Sequence, residues 1–147
     1  MRSVRSIALI LAAVGSSAAP ASAGAAARYD GSVPFTCVPI VVFECVEDHA
    51  DAADAECKRR AAASVNLPQF LNVDVKALKV YAEPEGRQSP VRNVEHLNGN
   101  LIVQGGQDGR GWTMTVSEET GKMSATVSSG SEGFVVFGAC TMTQAGR

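Results

Sequence analysis

Val94-Glu95-His96-Leu97-Asn98-Gly99-Asn100-Leu101-Ile102-Val103-Gln104 holds two short strand-like runs on either side of an Asn-Gly pair. Both residues of that pair accept positive φ, as a type I′ turn demands, and such a turn matches the twist of the strands it joins. The stretch reads as a β-hairpin. Further along, Trp112, Met114 and Val116 alternate with Thr113, Thr115 and Ser117, the period of two expected of a strand with one buried face. Glu118-Glu119-Thr120-Gly121 makes the next turn, and Met123, Ala125 and Val127 then share one side of a further strand. Residues 128–133 turn again. Phe134-Val135-Val136-Phe137 is apolar on both faces, which suits a central strand or one that closes a barrel. Hairpins in succession make a meander. The glycine-rich run 105–111 lacks the Gly-Lys-Ser/Thr ending of a phosphate loop and leads into a strand, so it reads as a hairpin connection.

Towards the N-terminus the pattern loosens. Pro84-Glu85-Gly86 is a turn. Val73 and Val75 alternate with Asp74 and Lys76, but Leu78 and Val80 continue on the other parity, which implies a bulge or bend between Val75 and Leu78. Residues 35–44 form the opening strand. Residues 47–63 are the one helical candidate: Glu47, Asp48, Asp51 and Asp54 stand at its start and Lys58, Arg59 and Arg60 near its end, an order that complements the helix dipole, and alanines abound. The count is seven to nine strands with at most one short helix. The expected fold is mainly β, a small antiparallel barrel with a C-terminal meander; a two-sheet sandwich is the alternative.

Residues 1–23 have the three parts of a secretory signal peptide: Arg2 and Arg5, an apolar run over residues 7–14, and Ala21-Ser22-Ala23 as a small-x-small cleavage site. That run is shorter than the roughly 20 residues that cross a bilayer, and no later stretch is long enough either, so no membrane span is expected. The reading divides the chain into a leader (1–23), a flexible lead-in (24–32), a single β domain (33–142) and a disordered tail (143–147). Loss of Arg2 and Arg5 turns 13 basic and 15 acidic residues into 11 and 15, a net charge of −4. That excludes the basic patch on which nucleic-acid or anionic-membrane binding depends.

Four cysteines, Cys37, Cys45, Cys57 and Cys140, imply two disulfides in an exported chain, periplasmic or extracellular. Cys37 and Cys45 lie on one strand, which separates them by roughly 26 Å when extended, whereas a disulfide needs Cα atoms about 5.5 Å apart. Cys45–Cys57 with Cys37–Cys140 is therefore the favoured pairing. It conflicts with a full helix, which would hold Cys45 and Cys57 about 16 Å apart. A loop with a short helix from about Asp51 reconciles the two. Spacings of 8, 12 and 83 residues, with no Cys-x-x-Cys, do not suit zinc.

Catalytic signatures are sparse. The histidines are His49 and His96, there is no Gly-x-Ser-x-Gly elbow, and four oxidised thiols leave no cysteine nucleophile. His96, beside the Asn98-Gly99 turn, reads as an exposed strand residue. The acidic run 47–56 with His49 is the best metal candidate, yet it lacks the alternating acids and sixth-position glycine of a calcium loop and reads as a solvated polar segment. No catalytic, cofactor or metal residue is assigned.

Pro34-Phe35-Thr36-Cys37, Glu44-Cys45, Asn66-Leu67-Pro68-Gln69-Phe70, Gly111-Trp112, Glu119-Thr120-Gly121 and, most distinctively, Phe134-Val135-Val136-Phe137-Gly138-Ala139-Cys140-Thr141 together resemble a group of small exported bacterial proteins with no known activity. The resemblance spans most of the mature chain and implies no functional residue. The expectation is a non-catalytic envelope or secreted β-barrel module binding a small molecule or a protein. An apolar cavity would favour the first and a filled core would count against it. The alternatives are a metal-assisted hydrolase using His49 or His96 with nearby carboxylates, and an inhibitor of a cell-wall-degrading enzyme by fold-level analogy alone.

Overall fold

A computed structural model describes residues 29–46 and 56–142. Nine strands follow one another: β1 (Phe35–Val46), β2 (Glu56–Arg60), β3 (Phe70–Asp74), β4 (Lys79–Glu83), β5 (Arg87–Leu97), β6 (Asn100–Gln107), β7 (Arg110–Ser117), β8 (Lys122–Ser128) and β9 (Glu132–Met142). Strands β3 to β9 pair in chain order, each antiparallel to the next. β1 pairs with β3 on one side and with β9 on the other, closing an eight-stranded antiparallel barrel; β2 is an extra strand hung on the outer half of β1. Closure removes the edges of the eight barrel strands and leaves β2 as an edge strand.

The meander follows the residue chemistry. Asn98 and Gly99 both have positive φ and make the two-residue turn between β5 and β6. Asp108 and Gly109 do the same between β6 and β7, so most of the glycine-rich run is strand and only two residues turn. β9 is apolar on both faces because its inner residues, Phe134 and Val136, enter the core while Val135 and Phe137 join the outer wall beside Phe43 and Val41.

One expectation changes and two gain detail. Residues 56–60 are strand, not helix: they pair with Val42–Val46 of β1, and the direct opposition of Cys45 and Cys57 fixes the register. Backbone pairing and a covalent tie outweigh a helical charge pattern. The only helical piece among the described residues is the 3-10 turn Ala62–Val65, while residues 47–55 lie outside them. The parity change between Val75 and Leu78, expected as a bulge or bend, is a tight turn, with Leu78 N–H donating to Val75 O at 3.2 Å; register shifts within strand pairs occur at Pro39/Val41 and Val91/Asn93. The expected lead-in includes Tyr29, which packs edge-on against Phe35 with ring centroids 5.9 Å apart and donates its N–H to Glu118 O at 3.1 Å. Half-buried, Tyr29 packs against the core at the end of the barrel that carries the turn between β7 and β8.

Cys37 is bonded to Cys140, tying β1 to β9 where the barrel closes, and Cys45 to Cys57, tying β2 to β1. The two ends of the barrel differ. Phe35, Val73, Leu101, Val103 and Val116 are fully buried near the Tyr29 end. The outer positions of β5 to β8 are largely polar, with Asn93 bonded to Gln104 and Gln104 to Thr113 across neighbouring strands. Among the described residues no helix is long and apolar enough to cross a membrane.

Candidate functional site

At the end opposite Tyr29 the barrel interior is not filled by the side chains of the described residues. A cavity of about 540 Å³ opens there, within the range of small-ligand sites, about 300–1,000 Å³. Its deep wall is apolar: Leu71 on β3, Val80 and Ala82 on β4, Trp112 and Met114 on β7, Ala125 and Val127 on β8, Phe134 and Val136 on β9. Strand alternation builds this wall, since directly opposed residues share a face. Val80 opposes Ser89, Gly105 opposes Trp112, Trp112 opposes Val127 and Val127 opposes Phe134.

Trp112 is the one tryptophan of the chain. Its indole Nε1–H donates to Ser89 Oγ at 2.8 Å, so its polar atom is satisfied while the ring presents carbon to the cavity. Gly105, opposite it on β6, makes this possible: a Cβ there would collide with the indole and with the Pro90 carbonyl.

The same inward parity continues to the rim and changes chemistry. On β5, Arg87 follows Ser89; on β7, Arg110 follows Trp112; on β6, Gln107 opposes Arg110. All line the mouth, together with Asp108 of the adjacent turn. Arg110 Nη2 lies 3.5 Å from Glu132 Oε1. Arg87 Nη2 donates to the Asn66 carbonyl at 3.0 Å. That bond holds the segment following the 3-10 turn across part of the mouth, where Val65, Asn66, Leu67 and Pro68 line the cavity. Asn66, at φ 54, makes the left-handed step that ends the 3-10 turn.

Of the residues singled out from sequence, His96 is at the other end. Its Nδ1 is 2.6 Å from Glu118 Oε1, with the imidazole about half exposed and the carboxylate largely buried. Nearby, Asp30 has its carboxyl held below the ordinary aspartate value by the Ser32 hydroxyl and then by the Ser32 N–H, which donates at 2.8 Å. His49 and acidic residues 47–55 lie outside the described residues, and Glu56 is exposed beside Lys58. Among the described residues no three His, Cys, Asp or Glu side chains come together as a metal site. All four cysteines are oxidised. The arginines of the mouth were not singled out from sequence. The signal for Arg110 was present, since the alternation through Trp112, Met114 and Val116 extends back to it across Gly111. Arg87 and Ser89 gave none, because neither belongs to an apolar alternation.

No protein-family model matches the chain, and comparison with curated proteins and with solved structures finds no match.

Proposed function

We propose that this is an exported, non-catalytic β-barrel that binds a small molecule with a substantial apolar part in the barrel mouth. The observation that carries the reading is the unfilled apolar interior at one end of a barrel that is tightly packed at the other. A protein that needed only a stable scaffold would fill both ends, because interiors pack to crystal-like density and voids cost stability. Export is supported by the leader-like residues 1–23 and by two disulfides, which persist in oxidising compartments.

Trp112 supplies the test. N-phenyl-1-naphthylamine, a neutral apolar fluorophore, is titrated into the purified protein. Saturable growth of probe emission, with quenching of Trp112 by energy transfer and a dissociation constant in the micromolar range, is the expected result. Emission that rises without saturating, with Trp112 unquenched, would refute a binding cavity.

A further inference from the structure

Resting on that reading, we propose that the ligand is a free single-chain amphiphile with an anionic head, its tail among the apolar residues of the cavity and its head at Arg87 and Arg110. Three observations converge. The cavity grades from apolar at depth to cationic at the rim along single strands: Met114, Trp112 and Arg110 on β7, and Ser89 and Arg87 on β5. A tail-and-head molecule matches that gradient, whereas a wholly apolar one would leave the arginines without function. Second, Arg87 takes part in no ion pair among the described residues. Its partner is the neutral Asn66 carbonyl, which engages one of the five N–H donors a guanidinium carries. Such a fork can accept a carboxylate and still keep its carbonyl. Third, among the described residues the lining holds one carboxylate, Asp108, while Glu132 beside it is engaged by Arg110, so Arg87 is the guanidinium left for an incoming anion.

The test varies head and tail separately by displacement of the naphthylamine probe. Dodecanoate, dodecanol and dodecyltrimethylammonium share a tail and differ in head charge. Dodecanoate is expected to displace the probe about tenfold more tightly than dodecanol, the equivalent of one charge-assisted hydrogen bond at an exposed rim, with the cation weakest. From octanoate to dodecanoate each added methylene should tighten binding by up to about fourfold. The dodecanoate preference should shrink as salt rises. In the Arg87→Gln, Arg110→Gln double variant the ratio of dodecanoate to dodecanol affinity should fall about tenfold. If the probe binds but the three heads compete equally, the anionic head is wrong while the cavity reading stands. If the probe does not bind, both fail. Co-sedimentation with phosphatidylglycerol vesicles, without displacement by free dodecanoate, would overturn the proposal in favour of a membrane surface.

Discussion

Gly105 and Trp112 oppose each other on β6 and β7, and the size of one sets the position of the other. Adding a methyl group at 105 would press into the indole and the Pro90 carbonyl, both of which sit on ordered strands with little room to yield. Gly105→Ala is therefore expected to cost about 2 kcal/mol through overpacking. It should also break the Trp112–Ser89 bond and shift tryptophan emission to the red as the ring tilts towards the mouth. Denaturant unfolding with the emission spectrum of the native baseline checks both at once. Ser89→Ala is the milder control: it removes the 2.8 Å bond without crowding the ring and should cost about 1 kcal/mol. In the sequence this pair was half legible. The alternation around Trp112 marked it as inward-facing, but Gly105 reads as loop in a run of glycines, because a residue chosen for its missing side chain leaves no apolar pattern.

β1 shows how one element can carry several demands. Its first residues pair with β3, its last with β2, and its whole length with β9, around a bulge at Pro39/Val41. The disulfides divide accordingly. Cys37–Cys140 spans 103 residues and closes the barrel, and Cys45–Cys57 spans 12 and anchors only β2. In the chain-entropy model, replacing Cys45 and Cys57 together by Ala should cost about 3 kcal/mol and replacing Cys37 and Cys140 about 5 kcal/mol. The first variant is expected to keep the cavity and bind the naphthylamine probe. The second should lower the thermal midpoint further, with loss of probe binding on the same melting curve. β2 is also where reading the sequence failed most. Its residues, Glu56-Cys57-Lys58-Arg59-Arg60, are exposed and charged, with no period of two. Charge on an edge strand guards against pairing with another chain, and that same property hides the strand from any hydrophobic count. The meander from β5 to β9 was legible because each of its strands buries one face.

At the scale of the molecule, the described residues leave the barrel packed at one end and open at the other, and the two ends should answer differently to mutation. Leu101 is fully buried at the packed end, where neighbours from several strands surround it. Leu101→Ala removes contacts that the closed lattice cannot replace and should cost about 3 kcal/mol. Its distance from the mouth should leave probe affinity within about twofold, measured at a temperature where the variant is folded. Ala125 is the reverse case. It lines the cavity on β8, so a larger side chain grows into empty space rather than into a neighbour. Ala125→Phe is expected to leave stability within about 1 kcal/mol of the parent, or to raise it by filling the void, while weakening probe binding at least tenfold. Had the whole interior been packed, the same substitution would cost at least as much as Gly105→Ala through overpacking. Chemical denaturation and probe titration of the two variants side by side distinguish these cases. The opposed pattern, with one variant losing stability and the other losing binding, is what a barrel half core and half receptacle must give. The sequence could announce the apolar inner residues but not the void between them, since Ala125 and Met114 alternate as any core positions would. A cavity is a property of volumes summed across eight strands, and no single strand records it.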